Sequence, residues 1–231
     1  MSGERVLVVD DDLNLSEQVT DYLAQQGIES SRALDGREAL TMLADHDFDL
    51  VLLDVIMPGM DGFAVCRKIR EDSQIPVIML TAIGDEAAKI QMLQTGADDY
   101  VVKPFSLPEL HARMQAVLRR SRLPSASQGS PAFSSGDLKI NYRSHQVSVA
   151  GKEIVLTATE FNLLRELASH AGEVMTHRTL LHLVWGPEYG DEREYVRVFV
   201  NRLRQKLGDD PASPKFIKTE PGVGYQFLKD R

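Results

Sequence analysis

The sequence is nearly devoid of cysteine: Cys66 stands alone among 231 residues. One thiol excludes an internal disulfide framework and a cysteine-type zinc cluster. In "FAVCRKIR" it reads as a small buried hydrophobe on a helix. No apolar run approaches the roughly 20 residues that a membrane helix needs. The opening "MSGERVLVVDDD" passes into a strand without the positive-then-apolar order of a signal peptide. These absences predict a cytoplasmic protein with no membrane partner. An overall excess of positive charge is missing too, since the net charge is -8. That figure conceals an asymmetry. Residues 1–120 carry 11 Lys and Arg against 21 Asp and Glu, whereas residues 121–231 carry 15 against 13. An acidic half joined to a mildly basic one predicts two domains with separate tasks.

The first half alternates between two periods. Apolar runs at Arg5–Asp10, Asp49–Val55, Pro76–Ala82 and Tyr100–Lys103, with a weaker one near Ile28–Ala33, read as buried strands. Amphipathic segments at Leu13–Gln26, Arg37–His46, Phe63–Glu71, Asp85–Thr95 and Leu107–Arg120 separate them. Strand and helix repeated five times predict an α/β doubly wound, five-stranded parallel sheet. "SRLPSASQGSPAFSS" then breaks every period and reads as a flexible linker. Beyond it come short strands, with turns at Arg143–His145 and Ala150–Gly151. Helical segments follow at Ala158–His170, Thr176–Trp185 and Glu192–Leu207, then a hairpin in "KFIKTEPGVGYQF". This order predicts an α+β winged helix-turn-helix. The expected division is residues 1–120, a linker at 121–132, and residues 133–231.

In "DLVLLDVIMPGMDG" an unbroken apolar run ends on a carboxylate, Asp54. A bare charge at the end of a buried strand is costly unless compensated, and in open parallel sheets that end is where ligands bind. Asp10, Asp11 and Asp12 follow the first strand, Thr81 the fourth and Lys103 the fifth. Converging carboxylates repel one another. Mg²⁺ relieves that repulsion, favouring one or two carboxylates plus waters and phosphate oxygens. A lysine and a hydroxyl on the same rim suit the remaining phosphoryl oxygens. The set fits phosphoryl transfer onto Asp54 as nucleophile. Each residue has an ordinary alternative: the acidic triplet caps the next helix, Thr81 is a local cap, Lys103 lies on the surface, and Asp54 serves its own turn. Their joint arrival at the strand ends of one sheet favours the site. An enzyme reading, a Mg²⁺-dependent aspartyl phosphatase, wants D-x-D-x-[TV] after the first strand; Asp10 and Asp12 fit, but Asn14 does not.

"VLVVDDD", "LLDVIMPGMDG", "VIMLTA" and "GADDYVVKPF" resemble the receiver domain of two-component response regulators. The resemblance implies that Asp54 accepts phosphate from a sensor histidine kinase. It implies Mg²⁺ beside the acidic pair Asp10 and Asp11, held by Asp11, Asp54 and the carbonyl of Ile56. Thr81 and Lys103 then contact the phosphoryl group, Tyr100 is the switch aromatic, and Lys103–Pro104 is cis. It further implies a homodimer on phosphorylation, through the pairs Lys89–Glu109, Asp99–Arg113 and Asp98–Arg120.

Within Arg193–Lys206 lie five basic residues and one acid, Glu194. Val196, Val200, Leu203 and Leu207 form an apolar stripe. A 100° wheel sets Arg197, Val198, Asn201, Arg202, Arg204 and Gln205 opposite, where Arg, Asn, Gln and Val suit base edges. "LTATEFNLLRELASHAGEVMTHRTLL" and "VRVFVNRLRQKL…GVGYQF" resemble the winged-helix effector of the OmpR/PhoB family. That likeness implies promoter DNA in tandem direct repeats, contacted by Arg197, Val198, Asn201, Arg202 and Arg204. Lys215 or Lys218 would supply phosphate contacts, and "WGPEYGDE" would meet RNA polymerase. In "KTEPGVGY" Pro221 stands where many relatives carry a minor-groove Arg. This wing, with "REYVRVFVNRLRQKL", is similar to the branch that regulates potassium-uptake operons.

Overall fold

The computed structural model describes residues 3–122, 132–190 and 192–229. Most of the linker expected at 121–132 lies outside the described residues. The chain divides into two compact units, residues 1–118 and 119–231.

In the first unit, strands β1 (Arg5–Val9), β2 (Glu29–Ala33), β3 (Leu50–Asp54), β4 (Val77–Thr81) and β5 (Asp99–Val102) alternate with helices. These are α1 (Leu13–Gln25), α2 (Gly36–Asp45), α3 (Gly62–Asp72), α4 (Glu86–Thr95) and α5 (Leu107–Arg122). The sheet order is β2-β1-β3-β4-β5 and every pairing is parallel. The doubly wound reading holds. Strand alternation explains why the apolar runs are unbroken. Val6, Val8, Leu50, Leu52, Ile78 and Leu80 join α1 and α5 residues such as Val19, Leu23, Leu110 and Met114 in one core. The intervening Leu7, Val9, Val51, Leu53, Val77 and Met79 are equally buried and face the other way. Cys66 is a fully buried thiol on α3, as its apolar neighbours predict, with Sγ 3.9 Å from the Thr95 carbonyl oxygen.

The crossing order reverses between β1 and β3, so the carboxyl ends of the two central strands open onto one crevice. The turn after β3 folds back tightly. Gly62 opens α3 with its amide on the Val55 carbonyl at 3.0 Å. A Cβ there would strike the Asp54 carbonyl oxygen, so only glycine permits α3 to start beneath the end of β3.

The second unit begins with a four-stranded antiparallel sheet of β6 (Ala132–Ser135), β7 (Leu138–Asn141), β8 (Gln146–Val149) and β9 (Lys152–Ile154). Helices α6 (Ala158–Ser169), α7 (His177–Val184) and α8 (Arg193–Leu207) pack mutually. Strands β11 (Ile217–Glu220) and β12 (Gly224–Phe227) make the expected hairpin. A three-residue strand, β10 (Val174–Thr176), extends it on the other side of β12. "VMT" is too short to announce a strand by periodicity. Gly224 makes the pairing possible, since a Cβ there would collide with the Met175 carbonyl oxygen. Thr157 and Glu160 form a reciprocal capping box at the start of α6, where the sequence reads T-x-x-E.

Candidate functional site: an acidic pocket and a partly masked basic helix

Carboxylate oxygens of Asp10, Asp11 and Asp54 lie within 4.8 Å of one another at the ends of β1 and β3. Asp10 is 1% and Asp54 5% exposed, while Asp11 reaches solvent. Lys103, just past β5, bridges the two buried acids, with Nζ 2.8 Å from Asp10 Oδ2 and 3.1 Å from Asp54 Oδ1. Its peptide bond to Pro104 is cis. Burial pushes the Asp54 carboxyl above its ordinary range; the Lys103 charge opposes this and the Asp10 charge adds to it. For Lys103, burial pulls the ammonium down, but the hydrogen bond to Asp10 and the charges of both acids outweigh it and hold the group above its ordinary value. Three carboxylates against one ammonium leave the cluster short of positive charge.

The acidic triplet divides its labour. Asp10 Oδ1 accepts the Asp12 amide at 2.9 Å, which fixes the pocket carboxylate. Asp12 caps α1, accepting the amides of Asn14 and Leu15. The capping alternative is therefore correct for Asp12 alone. Asp12 is spent on its helix and lies outside the close cluster of Asp10, Asp11 and Asp54. Thr81, 1% exposed at the end of β4, accepts the Ile83 amide at 3.0 Å. Ile56 is exposed beside Asp54. Tyr100 is buried on β5, with the Lys89 ammonium 5.7 Å from its ring centroid. An oxygen-rich set of this kind, two acids buried and one open to solvent, has the donor chemistry that Mg²⁺ takes.

The charges expected at a dimer face are engaged within one chain. Asp99 lies 3.5 Å from Arg113, and Arg113 in turn 3.7 Å from Glu109. Asp98, 2% exposed, accepts Arg70 Nη2 at 2.9 Å and the Val77 amide at 3.1 Å. Arg120 falls in the second unit, is 3% exposed and donates to the Trp185 carbonyl at 3.1 Å. Sequence reading missed Arg70. Its partners are 28 residues away or are backbone carbonyls, so no spacing announces them.

On α8 the wheel assignment needs correction. Arg197 and Asn201 are exposed, but Val198, Arg202 and Arg204 are buried. Arg202 pairs with Glu160 at 2.7 Å. Arg204 donates to the Ile217 carbonyl at 2.7 Å and the Thr219 hydroxyl at 2.8 Å. A wheel assumes one buried side, and α8 is covered by α6, α7 and the β11–β12 hairpin. What remains open is a stripe at spacing four: Arg193, Arg197, Asn201 and Gln205. Lys218 is exposed on β11, paired with Glu220 at 2.7 Å. In the loop after α7, Trp185 and Tyr189 turn inward onto Tyr195, leaving Pro187, Glu188 and Gly190 outside. Asp191 lies outside the described residues.

Residues 6–115 match the family described as response regulator receiver domain. Residues 151–227 match the C-terminal family of transcriptional regulatory proteins. The probable transcriptional regulator ycf27 of Cyanophora paradoxa is 44% identical over 98% of this chain and 97% of its own. The DNA-binding response regulator MtrA of Mycolicibacterium smegmatis is 43% identical over 96% of each. Among solved structures, the OmpR/PhoB homologue DrrB of Thermotoga maritima is 36% identical, with a TM-score of 0.52 over 98% of this chain and 100% of that one. These relatives do not single out the potassium-operon branch. A receiver followed by a transcriptional effector, with that identity sustained along almost the whole chain, makes this protein a member of the OmpR/PhoB-type response regulators.

Proposed function

We propose that the protein is a phosphorylation-dependent transcriptional regulator whose DNA binding is governed by the charge state of Asp54. The observation that carries this reading is Lys103 seated between Asp10 and Asp54 at the carboxyl ends of a parallel sheet. An Asp54 carboxylate oxygen attacks the phosphorus of a phosphohistidine on a sensor kinase. The new O–P bond forms as the N–P bond breaks, and the imidazole keeps the electron pair. Asp10, Asp11, Asp54 and the Ile56 carbonyl are the groups that would hold Mg²⁺, whose charge offsets the repulsion between acids and phosphoryl oxygens. Lys103 and Thr81 contact the phosphoryl oxygens. Recruiting Thr81 takes its hydroxyl from the Ile83 amide, and Tyr100 shifts in response.

The altered α4–β5–α5 surface then pairs with a second copy through Lys89–Glu109, Asp99–Arg113 and Asp98–Arg120. The last pair requires Asp98 to leave Arg70 and Arg120 to leave Trp185, so dimerisation includes that exchange. Two effectors brought together bind tandem half-sites with raised effective concentration. Arg197 and Asn201 meet base edges and the flanking phosphates, Lys218 contacts phosphate, and the exposed part of the α7–α8 loop meets RNA polymerase. The reading places all of this in the cytoplasm. Among the described residues, no helix is long and apolar enough to cross a membrane.

The test is intact mass and sedimentation of wild type and Asp54→Ala with Mg²⁺ and acetyl phosphate. A phosphoryl mass gain with dimer formation in wild type alone is expected. An equal gain in Asp54→Ala would sink the pocket assignment.

A further inference from the structure

Glu160, on the first turn of α6, is fully buried, yet it carries a carboxylate between two cations of α8. Lys206 Nζ lies 2.6 Å from Oε2, and Arg202 Nη2 lies 2.7 Å from Oε1. The same Oε2 accepts the Thr157 amide at 2.9 Å, so the cap and the ion cluster share one oxygen. Lys206 also donates to the Val155 carbonyl, and the Arg202 guanidinium lies 4.5 Å from the Phe199 ring centroid. On the far side, Arg204 is committed to β11. Three of the five cations that make α8 look basic are thus spent inside the unit.

We propose that Glu160 is a positioning residue for DNA recognition. It withdraws Arg202 and Lys206 from the nucleic-acid surface of α8, leaving the stripe Arg193, Arg197, Asn201 and Gln205 to meet the duplex. This inference rests on the DNA-binding reading above and specifies which part of α8 performs it. The physical reason is an asymmetry. Pulling Arg202 or Lys206 onto a phosphate would take one of two counter-charges from a buried carboxylate, which costs more than one exposed phosphate contact returns. Arg193 and Arg197 sit on the exposed side and meet no such penalty. The helix therefore neutralises fewer phosphates than its composition implies, and amides rather than guanidinium groups occupy the later turns of its open stripe.

The discriminating measurement is the salt dependence of binding by the full chain to one mixed-sequence duplex, since the log–log slope counts phosphates neutralised. Arg197→Ala lowers the slope by about 0.9, whereas Arg202→Met and Lys206→Met leave it unchanged. Glu160→Gln keeps an oxygen for the Thr157 amide and so preserves the cap, but it removes the charge. Its slope steepens by about one to two as the freed cations reach phosphates. A role confined to folding would not move that slope upward. A fall of about 0.9 for Arg202→Met or Lys206→Met, or no change for Glu160→Gln, overturns the proposal. If Glu160→Gln does not melt cooperatively, Lys206→Met alone decides, because that side chain is 33% exposed and its loss leaves Arg202 beside the buried acid. If wild type does not bind the duplex, or Arg197→Ala leaves its slope intact, the DNA-contact reading of α8 fails first and this one with it.

Discussion

Asp54 sits where a charge is least welcome, and that discomfort makes a stability prediction. Its folded pKa lies above the ordinary carboxylate value because burial outweighs the Lys103 charge. A raised carboxylate pKa costs no stability below the unfolded value, and the penalty grows as pH rises through the folded one. Asp54→Asn should therefore stabilise the metal-free protein by about 1 kcal/mol at neutral pH. The gain should vanish near pH 4, read as converging melting temperatures. Lys103 has the opposite signature. Its raised pKa stabilises below the ordinary lysine range, and that contribution is lost as pH climbs through the folded value. The acidic part of the pocket was legible in the sequence because strand ends are fixed by hydrophobic period, so Asp10, Asp54 and Lys103 had to converge. Asp12 became clear only in three dimensions, since a cap and a metal ligand look alike as a third aspartate. The pairing of Asp98 with Arg70 was hidden for a different reason: the two residues stand 28 apart, and no local period announces such a contact.

At the scale of elements, α8 is held from both sides, and each grip can be tested separately. Although burial alone would raise the Glu160 carboxyl, Arg202 and Lys206 hold it below its ordinary range. Its stabilisation is present above the unfolded pKa and is lost as pH falls through the folded one. Glu160→Ala leaves two cations without their acid and should cost about 3–5 kcal/mol in a thermal or urea melt. Acid sensitivity of that transition should fall with it. Asp209 is the second grip. Buried just past the end of α8, it accepts the amides of Lys215, Phe216 and Ile217 and so fixes the approach to β11. Asp209→Ala should cost about 2 kcal/mol, with the loss concentrated in hydrogen exchange of the β11 amides. The helices themselves were readable, since T-x-x-E and the apolar stripe announce them. Their burial was not. Nine of the fifteen residues of α8 are buried, Arg202 and Arg204 among them, because three elements surround a helix that a wheel treats as two-sided.

For the whole molecule, the first half is acidic and the second mildly basic, so assembly and DNA binding respond to salt by separate routes. Exposed charge pairs contribute only about 0.2–1 kcal/mol each, but a two-fold dimer uses each pair twice. Lys89→Glu should weaken the phosphorylated dimer several-fold in sedimentation, and adding Glu109→Lys should restore it. Failure of the double reversal to rescue would remove that pair from the interface.

The placement of β12 has a consequence for how such a chain is made. This strand is the centre of its sheet, hydrogen-bonded to β10 on one side and β11 on the other. Phe227 within it is fully buried and stacks on Phe216 and against Phe133 of β6. During synthesis, residues 1–118 leave the ribosome with every strand of their sheet already present, and domains fold as units in that order. The second unit must wait, its hydrophobic wall open, until residues 224–227 emerge. A nascent chain stopped before Gly224 should therefore carry a protease-resistant first unit and a digestible second one.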